Sequence, residues 1–431
     1  MRQPRDIAVI GGGLAGLTAA WLLGRDHRVT LYERHARPGF TAHSASVLHA
    51  GQTVRVDVPL RVFYPGYYPS LLALYRDLGV ATEPVSYATT FADRDGETFF
   101  RYRNLRWGAQ SLAYVMPQDL RGPRARAMLA GAWRFRRAVQ AAQAHGGLQG
   151  LSLAQFVEQG RHERAFVEGL LLPVVATICT CPHEAALRFP MTVVADYLLR
   201  GVTRQAVQRA VNGADEACQR LLQRVAVLRC GADVRALQRD AQGVTLLHGD
   251  GPPTRHDHVL LAAPAHRALQ LIGQPEAAER EALGAVSHHA VTVVLHRDEG
   301  LMPRRRRDWS PVNAGVWPGQ AQATIWVNAV QPALRDAPPL FQTVAPAAMP
   351  RDERVIALAH FERPVVDERS LDTPARLAQL HTQPGRRLWF CGSYAQAGIP
   401  LLEAAVGSAM AAVAALQRAE SLAPWRAAEA A

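Results

Sequence analysis

The feature that most constrains the fold lies at the amino-terminal end. An apolar run, Asp6-Ile7-Ala8-Val9-Ile10, leads directly into Gly11-Gly12-Gly13-Leu14-Ala15-Gly16. A short run of this kind reads as a strand buried on both faces of a parallel sheet. Leu17, Ala20, Trp21 and Leu22 then recur at helical spacing, and a second run, Val29-Thr30-Leu31-Tyr32, ends at Glu33, 22 residues after Gly11. Strand, G-x-G-x-x-G turn, helix, strand and terminal acid make up a dinucleotide-binding βαβ unit. Gly11 permits the tight turn, Gly13 lets the backbone approach a pyrophosphate, and Gly16 brings helix and strand together; the helix N-terminus supplies N–H donors and partial positive charge. Glu33 is placed to accept both hydroxyls of an adenosine ribose, and an acid there disfavours a 2′-phosphate.

The 431 residues suffice for two or three subdomains, and a 48% hydrophobic, 20% charged composition is that of a globular protein. The longest uncharged stretches fall short of the ~20 apolar residues that span a bilayer, and no secretory h-region precedes Asp6. The expected location is therefore cytoplasmic, extended by the basic surplus to a peripheral position at the inner face of a membrane. All 48 basic residues behind the net charge of +11 are arginines, for the chain contains no lysine. Lysine chemistry, a Schiff base or a P-loop, is thereby excluded. The arginines are scattered and match no nucleic-acid module, so nucleic acid is not expected as a partner. Cys179, Cys181, Cys218, Cys230 and Cys391 lack the spacing of a zinc site or disulfide framework, so no metal is expected. Cys179-Thr180-Cys181 reads as an extended segment whose thiols alternate faces.

Two later regions extend the nucleotide-binding pattern. Val234 enters a hairpin that turns near Asp240 to Gly243 and returns through Val244 to Leu247; an apolar strand, Val259-Leu260-Leu261-Ala262-Ala263-Pro264, follows the turn Gly249-Asp250-Gly251. Near the carboxyl end Leu388-Trp389-Phe390-Cys391 closes in Gly392, ahead of a small-residue helix starting near Glu403. Glycine at a strand end before a helix N-terminus suits a phosphate or ribityl chain, which favours FAD over NAD.

Together these blocks resemble the flavin amine oxidase and phytoene desaturase superfamily, whose N-terminal βαβ, central and C-terminal blocks jointly enclose FAD. The likeness covers nearly the whole chain: Val234…Asp257-His258-Val259-Leu260-Leu261-Ala262-Ala263-Pro264 stands for the central block, and Phe390-Cys391-Gly392…Glu403-Ala404-Ala405-Val406-Gly407-Ser408-Ala409 for the last. The chain is more specifically similar to bacterial predicted NAD/FAD-binding proteins encoded near cyclopropane-fatty-acid synthase-like genes. That likeness is carried by Val56-Asp57, Val62-Phe63, Tyr68-Pro69, Leu78-Gly79-Val80, the stretch Ala176 to Pro182, Phe189-Pro190 and Met302 to Trp309. Departures are local. The usual Gly-Gly after the second strand is Gly39-Phe40, the acid after the C-terminal glycine is Ser393, and a polar segment near the flavin end becomes Gln396 to Glu403 with Pro400-Leu401-Leu402.

The resemblance implies an α/β, Rossmann-like, two-dinucleotide-binding-domain flavoprotein with an inserted mixed substrate domain. The FAD-binding domain is expected at 1–75, 213–290 and 380–431, and the substrate domain at 76–212 and 291–379, helical near 110–212. Non-covalent FAD would be held by Gly11, Gly13, Gly16, Glu33, Gly39, Val234, Gly392, Ser393 and Glu403. Tyr394, beside Gly392, and His43 are the catalytic candidates; His49, Tyr64, Tyr67 and Tyr68 follow in rank. Arg304 to Arg307 reads as a solvated loop or an anchor for a carboxylate or lipid headgroup. Leu170 to Val175 reads as core, or as a tunnel wall. The expected activity is oxidation, desaturation or isomerisation of a small hydrophobic substrate such as an unsaturated or modified fatty-acyl chain. The alternatives are a flavin amine oxidase and a non-catalytic FAD-binding partner of a lipid-modifying enzyme. Many amine oxidases of the superfamily place a lysine near the flavin, and none is available here.

Overall fold

The computed structural model describes residues 3–108, 110–200, 205–317 and 319–422. Parts of the expected domain segments, 109, 201–204, 318 and 423–431, lie outside the described residues. The first strand, Asp6–Ile10, sits third in a five-stranded parallel sheet. The order across that sheet is Val227–Cys230, Arg28–Glu33, Asp6–Ile10, His258–Leu261 and Leu388–Phe390. Every neighbouring pair runs parallel. Val259, Leu260, Leu261 and Trp389 are wholly shielded from solvent, which explains why these strands read as unbroken apolar runs rather than as alternation. Chain from all three expected cofactor segments thus meets in one sheet.

Helix Leu14–Leu23 follows the first strand and is buried on nearly all sides. It packs against the helices Leu402–Leu422 and Gly213–Leu222, where Ala409 and Ala412 of the last helix are fully buried. Small residues let two helix backbones approach closely, and each large apolar side chain buried there contributes about 1.5–3 kcal/mol. Beside the parallel sheet lies a three-stranded antiparallel sheet of Val234–Arg239, Val244–His248 and Thr254–His256.

The second layer is an eight-stranded mixed sheet. Its order is Val355–Val365, Ser287–His296, Phe341–Val344, Gln320–Trp326, Val312–Trp317, Thr89–Ala92, Thr98–Trp107 and Gln110–Tyr114. Among the described residues its one parallel pairing joins Val312–Trp317 to Thr89–Ala92. Strand Ser287–His296 runs unbroken across position 290, and Val47, Val56 and Val58 pack with Val291, Val293 and Leu295 of this sheet. Helices between Pro123 and Leu199 cover it on one side. Met128 and Ala125 of helix Pro123–Ala144 pack on Phe91, Phe100 and Val316.

One local expectation is corrected. Cys179-Thr180-Cys181 is not extended: Cys179 ends the helix Leu172–Cys179, and Thr180 takes the left-handed conformation with φ 53°. The Cys181 N–H then reaches back to the Ala176 carbonyl at 3.0 Å. The apolar run ahead of Cys179 satisfies its backbone as a helix, and the left-handed residue ends it while filling an open carbonyl. Burial and the neighbouring Cys181 raise the Cys179 thiol well above its usual range.

Candidate active site

The nucleotide loop is built as the glycine spacing demands. Gly11 has φ +108°, and a Cβ there would lie 2.6 Å from the Ala262 carbonyl oxygen; a Cβ on Gly16 would lie 1.9 Å from that of Gly11. Both positions are closed to larger residues by neighbouring backbone. Gly13, which caps helix Leu14–Leu23, is the opposite case, for its Cβ would meet no atom within 4 Å. The open side of the loop is therefore at the helix N-terminus, where an anion is favoured.

Glu33 is buried at the end of its strand. Its Oε2 accepts from the N–H groups of Gly12 at 2.7 Å and Gly39 at 3.2 Å, and its Oε1 accepts from His35 N–H at 2.9 Å. The carboxylate thus ties Gly39 to the loop, and the Phe40 N–H donates to the Gly12 carbonyl at 3.0 Å. Gly39 serves here as a close-packing residue. Phe40, in the place of the second glycine, is buried, with the Arg61 guanidinium 4.2 Å above its ring and bonded to its carbonyl. His43 lies edge-on to Phe361 at 4.9 Å. Burial, then the charges of His35, Arg61, His360 and Arg34, lowers its pKa. Of these, Arg61 and Arg34 supply positive charge that complements a diphosphate.

The other expected cofactor residues are distributed as follows. Val234 begins the three-stranded sheet opposite His248. Gly392 follows the last parallel strand and donates its N–H to Ser408 Oγ at 3.0 Å; half-buried Ser393 is the next residue. The Glu403 carboxylate accepts from the N–H groups of Ser70 and Leu71, both at 3.0 Å, and so caps helix Pro69–Leu78. Arg61 Nε and Tyr394 Oη are among the buried polar atoms that have no partner among the described residues. With the open cradle at Gly13 and the Arg61 guanidinium over Phe40, the unpaired Arg61 Nε fits a polar, anionic dinucleotide such as FAD.

A cavity of about 170 Å³ lies where the eight-stranded sheet meets the residues that lead into the last helix. Leu401 and Leu402 form one side, and Pro59, Leu60 and Val62 another; Ile325, Val312 and Val344 come from the eight-stranded sheet. Thr177, Ile178 and Thr180 close it, whereas Leu171, Leu172 and Val175 from the preceding segment are buried in the core. Among the described residues its ionisable wall consists of Tyr68, Tyr87, Tyr197, Arg61 and Arg363, with no carboxylate. Arg61 has buried Asp57 nearby as counter-charge, itself held by the Ala214 N–H at 3.1 Å. Arg363 has no hydrogen-bond or ion-pair partner among the described residues. Burial, then repulsion from Arg61, pulls its guanidinium down to about 10, so it remains cationic at neutral pH.

The tyrosines of 64–68 form the floor behind this wall. Tyr64 Oη donates to the Tyr197 carbonyl at 3.1 Å, and Tyr67 Oη accepts from the Ile399 N–H at 2.8 Å. Burial is the main cause that pushes the Tyr67 phenol up to about 12 and Tyr68 well above its usual value, so both stay neutral donors. Tyr394 and His43 do not line this cavity; the Tyr394 ring is packed with Leu377, Leu380 and Phe390 on the other side of the parallel sheet. Arg61, Arg363 and Tyr197 were not singled out by sequence reading. The available signal was an arginine inside an apolar run, Pro59-Leu60-Arg61-Val62, and another beside Pro364 and Val365.

These features define an α/β fold built on a Rossmann-like dinucleotide-binding sheet. Residues 9–78 match the model of the NAD(P)-binding Rossmann-like domain. Among solved structures the chain is similar to cyclohexylamine oxidase from Brevibacterium oxydans, with 14% identity, 97% of this chain and 99% of that one covered, and a TM-score of 0.68. A putrescine oxidase bound to putrescine gives 14%, 96%, 99% and 0.65, and a CLA-producing fatty acid isomerase from P. acnes gives 15%, 95%, 98% and 0.64. No curated protein sequence matches. At these identities the likeness establishes the shared fold.

Proposed function

We propose that the chain is an FAD-dependent oxidoreductase acting on an apolar substrate that carries an acidic group, with an unsaturated or modified fatty-acyl chain as the substrate class. The observation that carries this reading is the cavity wall, in which apolar side chains surround two guanidiniums and no carboxylate. A protonated amine placed there would face like charges in a poorly solvated site, at a cost of several kcal/mol. A carboxylate would instead supply the anion that Arg363 lacks, by a charge-assisted and sterically directional pair. The amine-oxidase alternative is correspondingly disfavoured, although those oxidases share the fold.

The flavin would be held non-covalently by Gly11, Gly13 and Gly16 at the pyrophosphate, Glu33 at the ribose, and Gly39, Val234, Gly392 and Ser393 along its length. It supplies hydride chemistry when bound. The chain's own part is to orient the substrate through Arg363 and Arg61, to exclude water with Leu401, Leu402 and Ile325, and to offer neutral phenol donors at Tyr68 and Tyr197. Tyr394 and His43, outside this wall, remain candidates for support of the cofactor rather than of the substrate. A cytoplasmic location with peripheral membrane contact accords with an acyl substrate.

The test has two arms. Purified protein should be yellow and release intact FAD on denaturation. A panel of fatty-acyl acids and amines should show flavin reduction or spectral perturbation by the acids, and Arg363→Leu should weaken acid binding at least tenfold while Arg363→Lys retains part of it. Total lipid extracts from cells with and without the gene should differ. Reduction by amines alone, with an unchanged lipid profile, would overturn the reading in favour of an amine oxidase. Flavin that responds to neither class, beside an altered lipid profile, would favour a non-catalytic FAD-binding partner.

A further inference from the structure

We propose that this protein docks on an anionic lipid bilayer through one face of the hairpin formed by Thr98–Trp107 and Gln110–Tyr114. Along the first strand Arg101, Arg103, Leu105 and Trp107 occupy alternate positions and therefore share a face. Their cross-strand partners extend that face: Arg103 pairs with Tyr114, Leu105 with Leu112, and Trp107 with Gln110. Leu105 and Leu112 are each 59% exposed and Trp107 is 86% exposed. The hairpin is the edge of the eight-stranded sheet, so its outer end carries an apolar ladder that nothing in the chain covers among the described residues.

The inner end of the same face is basic. Arg101 and Arg103 both reach Asp119, at 3.2 and 2.8 Å. They form part of the wall of an open cavity of about 730 Å³ with Arg121, Arg124, Arg305 and Arg307; among the described residues its lining carboxylates are Asp119 and Asp308, and Glu97 lies 3.7 Å from Arg305. Arg121, Arg124 and Arg307 have no acidic partner among the described residues; Arg124 lies flat over the Phe99 ring at 3.5 Å. An apolar tip bearing a tryptophan, collared by unpaired guanidiniums, matches the depth profile of an anionic membrane surface, with acyl boundary outside and phosphates just above it. An acidic protein surface would complement the arginines but would leave Leu105, Trp107 and Leu112 without an apolar counterpart. A bilayer accommodates both at once. The arginine run 304–307 thereby acquires a ligand class, phospholipid headgroups, through Arg305 and Arg307. The proposal goes beyond the redox reading and does not depend on it, because vesicle binding is measured without flavin turnover.

The test is cosedimentation of the full-length protein with vesicles of phosphatidylcholine alone and of phosphatidylcholine mixed with phosphatidylglycerol. Binding is expected to the anionic vesicles only, and to weaken as salt rises. Arg121→Gln and Arg307→Gln should each lower affinity by about fivefold, the corresponding Arg→Lys variants should bind as wild type, and the pair Leu105→Glu with Trp107→Glu should abolish binding. All these side chains are at the surface, and far-ultraviolet circular dichroism unchanged from wild type establishes that each variant is folded. Equal binding to both vesicle types, no binding to either, or wild-type binding by the hairpin pair would overturn the proposal. Retention by poly-glutamate without retention by vesicles would overturn it in favour of an acidic protein partner.

Discussion

Gly13 and Gly16 lie three residues apart in one loop, and a larger side chain should fail at each for a different reason. A Cβ at Gly16 would sit 1.9 Å from the Gly11 carbonyl oxygen, which is backbone and cannot turn aside. Gly16→Val should therefore destabilise the fold, by about 1–3 kcal/mol. A Cβ at Gly13 meets no protein atom within 4 Å, so Gly13→Val should fold with the melting temperature of flavin-free wild type and yet fail to retain FAD, because the added methyls occupy the approach of the pyrophosphate. Flavin content and thermal melting, measured on both variants, check the pair. A fully flavinylated Gly13→Val protein would show that the loop is not the site.

Between elements, the best-defined polar tie is the carboxylate of Glu279, which is fully buried in helix Ala277–Gly284. It accepts from Arg239 Nη1 at 2.6 Å and Nη2 at 2.9 Å and from Arg386 Nη2 at 2.8 Å, joining the three-stranded sheet, this helix and the approach to the last parallel strand. Burial by itself would raise the Glu279 pKa, but the hydrogen bonds from Arg239 and the Glu276 N–H, with the charge of Arg386, hold it below its usual 4.5. Removing the acid leaves the Arg386 guanidinium, whose side chain is 3% exposed, with only the Gln383 amide at 3.0 Å and the more distant Glu276 carboxylate at 3.9 Å. Glu279→Ala should therefore cost about 3–5 kcal/mol in urea unfolding. A loss below about 1 kcal/mol, the range of an exposed pair, would show the network to be dispensable.

For the whole molecule, acid should be the weak side of its stability. Burial, the leading cause in each case, pulls the pKa of His258, His288 and His296 down from 6.5 to about 4 and that of His381 to about 3. His296 is held neutral between two partners: its Nδ1 accepts from the Asp298 N–H at 3.1 Å, leaving Nε2–H to donate to Thr343 Oγ1 at 2.8 Å. Below pH 6.5 the unfolded chain binds protons that the folded chain refuses, so stability falls as pH drops from about 6.5 to about 4. Glu279 adds its own loss only below 4.5, as the pH falls towards its depressed folded value. A urea midpoint followed from pH 7 to pH 4 should decline steadily; a flat profile to pH 4 would contradict the buried, neutral histidines. At the same scale belongs the complete absence of lysine. If flavin reoxidation by oxygen relies on a lysine in related oxidases, the reduced protein mixed with air-saturated buffer in stopped flow should reoxidise slowly, and a rate typical of dedicated oxidases would oppose that expectation.

What the sequence determined by itself was local or serial. The unit from Asp6 to Glu33 was legible because its turn sterics, helix start and strand periodicity depend on neighbours within a few residues, and the blocks at Val259 and Leu388 were legible as apolar runs bounded by glycine and proline. The extended reading of Cys179 to Cys181 failed where helix and strand compete for the same short apolar segment, a choice made by packing against the surrounding helices. Only the tertiary structure brought Arg61 and Arg363 to one cavity, 302 positions apart in the chain, and turned the Tyr394 ring to the far side of the sheet. Strand register and the face a side chain takes decide such meetings, and both follow from the whole sheet rather than from the residues on either side. The sequence therefore determined the class of nucleotide-binding fold, while the wall of the cavity at Arg61 and Arg363 was decided by the assembled chain.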